Sequence, residues 1–226
     1  MVGQAPVRLS QQAHRLADAR RAFSRAWPAL CLLLIAGAAL AWVACAQGWV
    51  TADALMWRRG PPGSPPWTWW TAPLLHPVAA HWVGNALALG ALAVLGVALH
   101  ATRADALALA LAWPLGTLAL LAWPAIGGYY GLSGTVHAAA AILALRAWRA
   151  PATRPLGLLL AGGLLIKLAL ERGWAMPVGF DHGWGFNVVY AAHFSGAAVG
   201  AAVAISAAWL RHLSWQCQIN RNSVSN

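Results

Sequence analysis

Six long apolar stretches, separated by short polar or proline-rich connections, dominate the chain: residues 27–46, 81–99, 104–123, 132–148, 156–170 and 188–210. A helix needs about 20 residues, at a rise of about 1.5 Å each, to cross the hydrocarbon core of a bilayer. The pattern therefore predicts an all-α integral membrane bundle of six transmembrane helices. The fifth stretch is the shortest and holds Lys167 and the pair Gly162-Gly163. Residues 1–26 read as a basic arm, 27–210 as the membrane domain and 211–226 as a tail.

Composition and charge sharpen this picture. Of 226 residues, 60% are hydrophobic and 9% charged, which excludes an ordinary soluble domain. Arginine clusters on one side of the expected spans, at Arg8, Arg15, Arg20, Arg21 and Arg25, at Arg103, at Arg146, Arg149 and Arg154, and at Arg211 and Arg221. The opposite connections hold Arg58 and Arg59, no Lys or Arg over 124–131, and then Arg172. Positively charged flanks stay inside, so both termini are expected in the cytoplasm. The net charge of +10 is then an orientation signal with some attraction to anionic lipid. No RNA- or DNA-binding motif accompanies it, and nucleic acid is not an expected partner. Cys31, Cys45 and Cys217 make no disulfide framework. Ala44-Cys45-Ala46 resembles a signal-peptide cleavage site, but the apolar run before it is long for one. The Arg-rich start reads as a cytoplasmic arm in preference to an organelle transit peptide.

Under this topology spans two, four and six begin at the same outer face. His81 and Asn85 stand near the start of the second, Ser133 near the start of the fourth, and His193 about one and a half turns into the sixth, at similar shallow depth. Polar groups so placed are costly unless paired or turned to a watery cavity, so they read as functional. Acyl transfer needs a nucleophile, a base within reach of it and donors aimed at the developing oxyanion. Ser133 supplies the first and His193 the second, while the amides of Leu132 and Ser133 at a helix N-terminus, with the Asn85 side chain, supply the third. Gly131 and Gly134 flank the serine, and Gly196 and Gly200 form a GxxxG row after the histidine. Small residues let helices in lipid approach closely, so Ser133 and His193 are expected within about 3 Å of each other.

These residues resemble the rhomboid family of intramembrane serine proteases. The family's H-x-x-x-N is matched by His81-Trp82-Val83-Gly84-Asn85, its G-x-S-G by Gly131-Leu132-Ser133-Gly134, and its A-H-x-x-G-x-x-x-G by the run from Ala192 and His193 to Gly196 and Gly200. Thr71 and His76 keep the spacing of the family's first loop, and Trp57-Arg58 looks like its Trp-Arg pair. The resemblance implies Ser133 as nucleophile and His193 as general base in a dyad, His81 and Asn85 assisting the oxyanion beside Gly131 and Leu132, and no metal or organic cofactor. Many rhomboids carry a tyrosine four residues after the serine, where this chain has His137. That departure, Lys167 to Glu171, the sequence Phe186-Asn187-Val188-Val189 and the expected lack of an added soluble domain look like the rhombosortase subgroup. By that likeness the partners are the lipid bilayer and anchored protein substrates with a C-terminal Gly-Gly signal, a transmembrane helix and a basic tail. The location implied is a bacterial inner membrane, with the site open to the periplasm.

Plainer readings stand beside these. His76 reads as a structural or interfacial loop residue, His100, His182 and His212 as solvent-facing, and His137 as a support to the site with Gly196. Lys167 and Glu171 either pair along one helix face or snorkel toward headgroups. Asp181 lies in a loop and is not expected to orient His193, and residues 67–70 read as an interfacial tryptophan belt. Rival functions are a general rhomboid protease, a rhomboid-like binding protein without activity, and a membrane cytochrome ligating haem through His81, His137 or His193.

Overall fold

The computed structural model describes residues 25–60 and 63–224, with side chains up to residue 210. The arm before Arg25, Pro61 and Pro62, and the side chains of Arg211, His212, Cys217 and Arg221 lie outside the described residues. Six long helices follow in order: α1 Ala26–Ala46, α2 Ala79–Ala98, α3 Arg103–Ala119, α4 Ser133–Trp148, α5 Arg154–Glu171 and α6 Tyr190–Val224. Short helical turns, among them Ala52–Leu55 and Thr68–Thr71, and two short antiparallel pairs lie in the connections. β1 (Trp57–Arg58) pairs with β2 (Gly128–Tyr129), and β3 (Gly179–Asp181) pairs with β4 (Phe186–Val188).

Five of these helices are long and apolar enough to cross a membrane: α1, α2, α3 with its extension to Ala122, α5 with its lead-in from Pro151, and α6 over Tyr190–Leu210. The chain is an integral membrane bundle with α4 as the exception. At 16 residues, or about 24 Å, α4 is shorter than the 18-residue α5, which the sequence pattern ranked as the shortest. The reason is enclosure. α4 packs against α2, α3, α5 and α6, and a helix surrounded by protein need not match the bilayer thickness.

The α4 sequence suits that central place, because Ala138, Ala139, Ala141, Ala144 and Ala147 bury little bulk and let four neighbours approach. The closest approach is to α6. A Cβ on Gly196 would lie 2.0 Å from the Gly134 carbonyl oxygen, and one on Gly200 would lie 2.7 Å from Ala138 Cα. On the far side of the bundle, fully buried Trp27 of α1 donates its indole N–H to Leu92 O at 3.0 Å and lies against Gly96 of α2.

Both ends of the bundle are tied by charge-assisted bonds to helix-terminal backbone. At one end Thr102 and Asp105 form a capping box on α3, and Arg146 of α4 donates to Leu99 O and His100 O at the α2 terminus. At the other, the Arg59 guanidinium donates to Leu120 O, Trp123 O and Ile126 O at 3.1–3.3 Å. This adjusts the expected Trp-Arg pair. Trp57 is buried, but the Arg58 side chain turns outward to Asp53, and Arg59 anchors the first loop beneath the segment that leads to Ser133.

The glycine contacts give a paired expectation. Gly196→Ala drives a methyl into the Gly134 carbonyl and is expected to lower stability by about 1–3 kcal/mol. Gly162→Ala faces open space and is expected to be neutral or stabilising by up to about 1 kcal/mol. Thermal denaturation of the two variants in the same detergent checks the contrast.

Candidate active site

The first turns of α2, α4 and α6 meet at one end of the bundle, together with the last turn of α5. Ser133 is the first residue of α4, entered through Gly131 at φ +106°, a backbone conformation that side chains rarely adopt. A Cβ on Gly131 would also lie 2.7 Å from His81 Cε1, so glycine lets the His81 ring settle over the turn that delivers the serine.

Ser133 stands where two cavities join. One, of about 290 Å³, runs between Gly127 to Tyr130 and the stretch from Phe186 to Val189. The other, of about 230 Å³, is walled by His81, Asn85, Ser133, His137, Lys167 and His193. The structure thus brings His81, Asn85, Ser133, His137 and His193 around one recess, as the sequence pattern anticipates, and Gly196 supplies the close α4–α6 approach beside it.

The hydrogen bonds of His193 fix its tautomer. Its Nδ1 lies 2.8 Å from Glu171 Oε2, so Nδ1–H donates to the carboxylate and, in the neutral ring, Nε2 carries the lone pair. That Nε2 is buried and has no hydrogen-bond partner among the described residues. Ser133 and His193 share a cavity wall without the direct bond of about 3 Å that the sequence leads one to expect. The His193 ring stacks on His137, with centroids 4.2 Å apart and planes 8° from parallel. His137 is in turn locked by its Nδ1–H donating to Ser133 O at 2.7 Å.

Two of the expected oxyanion donors, the Leu132 amide and Asn85, are engaged with a residue that sequence reasoning read as structural. His76 is 1% exposed, and its Nδ1–H donates to Leu74 O at 3.0 Å. Its Nε2 therefore accepts, from the Leu132 N–H at 3.3 Å and from Asn85 Nδ2 at 3.2 Å. The other Asn85 amide hydrogen goes to His81 O at 3.0 Å. Buried donors require acceptors, and one imidazole meets the need of two. The spacing from Thr71 marks His76 in the loop, but no local pattern shows this pairing, since its partners lie 9 and 56 residues away.

Glu171 is the second residue given too little weight. It neither snorkels nor merely pairs with Lys167. One carboxylate oxygen accepts from Lys167 Nζ at 2.6 Å and the other binds His193, with the side chain only 13% exposed. Asp181, by contrast, caps its own hairpin by accepting from the Gly183 and Trp184 amides. Exposed His182 meets the Phe180 ring edge to face, with centroids 5.1 Å apart.

Two other chemistries can be weighed on this geometry. His137, Glu171 and His193 offer donor atoms within 4.8 Å of one another, a spacing that could hold a metal ion. The Lys167 ammonium already occupies one face of that carboxylate, and His137 Nδ1 is committed to Ser133 O. Axial haem imidazoles point their nitrogens at a shared iron from opposite sides, whereas His137 and His193 lie face to face. No protein-family model matches the chain, and no curated protein matches it.

Burial pushes the His76 imidazole below the ordinary histidine value of 6.5, against the opposing pull of its bond to Leu74. The unfolded chain takes up this proton near pH 6.5 and the folded chain only at lower pH. Stability from neutral His76 is therefore complete above that value and is lost as the pH falls toward the folded one. Between pH 7 and pH 5, His76→Gln, which cannot titrate, is expected to lose less melting temperature in detergent than the wild type.

Proposed function

We propose that the chain is a rhomboid-type intramembrane serine endopeptidase, most like the rhombosortases, which cuts the C-terminal Gly-Gly-type transmembrane signal of exported proteins. The observation that carries this reading is the recess that Ser133 and His193 both line, together with the buried, unpartnered Nε2 of that imidazole. Such an orphan acceptor is costly unless a reacting group uses it.

In this reading the Ser133 hydroxyl attacks the scissile carbonyl, and its proton passes to His193 Nε2. The same proton then goes to the leaving amine, and water repeats the cycle on the ester to regenerate the serine. The Leu132 amide and Asn85 Nδ2 are the natural donors to the oxyanion once they turn from His76, with His81 beside them. The cavity between Gly127 to Tyr130 and Phe186 to Val189 takes the extended stretch of substrate next to the cut bond. Every step uses side chains, backbone amides and water. Six spans, cytoplasmic termini and a site opening to the periplasm of a bacterial inner membrane belong to the same proposal, and the arginine distribution supports them.

A fluorophosphonate probe on the detergent-purified protein is expected to label the wild type and to leave Ser133→Ala and His193→Ala unlabelled. Co-expression with a Gly-Gly-tailed client is expected to yield a shortened product that Ser133→Ala does not make. Cleavage of generic rhomboid substrates only would keep the protease and overturn the subgroup. Absence of labelling together with a Soret band would favour a cytochrome, and absence of both a binding protein.

A further inference from the structure

We infer that Glu171 is the third member of the proton-transfer system, a positioning residue that fixes the His193 tautomer and balances the charge that forms on it; this rests on the serine-protease reading above. The contact is direct, with Oε2 2.8 Å from Nδ1, and it is nearly sealed, since the two side chains are 13% and 8% exposed.

Local energetics argue that the carboxylate is held there for a purpose. Glu171 is the last residue of α5, where the negative end of the helix dipole disfavours an anion. The α5 helix closes on Arg172 in the left-handed conformation, at φ 52°, which Gly usually occupies. Lys167 precedes Glu171 by four residues, the less favourable order for a helical pair. A sequence that breaks three local preferences at one helix end, and turns the resulting anion inward onto an imidazole, spends stability on geometry.

The chemistry follows from the bond. With Nδ1–H held by the carboxylate, the lone pair of the neutral ring lies on Nε2, the buried nitrogen left without a partner among the described residues. When Ser133 gives up its proton to Nε2, the imidazolium gains a full charge opposite Glu171, which remains ionised throughout. No proton moves to the carboxylate, and the proton on Nε2 leaves with the amine. Lys167 Nζ holds the other oxygen at 2.6 Å and so sets the carboxylate plane, while His137 stacks on the opposite side and keeps the ring from turning away.

The test compares fluorophosphonate labelling rates of full-length wild type, Glu171→Gln, Glu171→Asp and Lys167→Gln in one detergent, alongside ¹⁵N spectra of histidine-labelled protein. Glu171→Gln is expected to slow labelling by roughly 10³-fold or more. It is also expected to abolish the Nδ1–H tautomer of His193, because the Gln amide can donate to that nitrogen. A partial recovery is expected in Glu171→Asp, with the Nδ1–H signal kept, and a smaller loss in Lys167→Gln. Wild-type labelling in Glu171→Gln, or an Nε2–H tautomer in the wild type, overturns the inference while leaving the serine-protease reading intact. Should Glu171→Gln not fold, Glu171→Asp decides: a reduced rate with Nδ1–H retained supports the role, and an unchanged rate opposes it. A wild type that is unlabelled, or labelled independently of Ser133, overturns the parent reading instead.

Discussion

The backbone contact between α4 and α6 is the constraint from which the rest of the molecule follows. Ser133 and His193 come from helices almost 60 residues apart in sequence, and a short side chain can meet an imidazole only where the two backbones nearly touch. Gly134, Gly196 and Gly200 make that approach possible, and the alanines of α4 extend it to the other neighbours. The same closeness brings the few polar groups of the bundle end together, and most of them bond one another. The histidines, Asn85 and Glu171 are therefore organised as one interdependent set.

Much of this was legible in the chain because it depends on periodicity and spacing. The long apolar runs located five of the six helices and the start of the sixth to within a few residues, since a stretch with so few charges has few other places to go; the sixth continues past residue 210, read as the start of a tail, to Val224. The small residues at positions 196 and 200 announced the close packing, and the placement of Ser133, His193, His81 and Asn85 near like ends of alternate spans announced their convergence. Helix length was less legible. A run such as 132–148 reads as a crossing segment, while its enclosure by four other helices is a property of the assembled bundle.

The residues that the sequence undervalued, His76 and Glu171, share a physical reason. Each owes its role to a bond across the fold, with no signal in its neighbours along the chain. Glu171 even carried a misleading one, because a lysine four residues earlier is what a solvent-exposed helical pair looks like. Whether a carboxylate at a helix end faces lipid, water or an imidazole is decided by the rotation of α5 against α4 and α6. Likewise Arg59, in place of Arg58, anchors the first loop because the alternation of β1 turns one side chain out and the backbone beyond it inward.

His76 has an effect that reaches past its own burial. One ring nitrogen serves both the amide that precedes the nucleophile and the carboxamide of α2, and its opposite nitrogen is moored to the loop at Leu74. The two donors are thereby yoked: a swing of that single ring would release them as a couple, and its return would silence both. Under the proposed function, the freeing of both oxyanion donors is then governed by one side-chain torsion in a connecting segment.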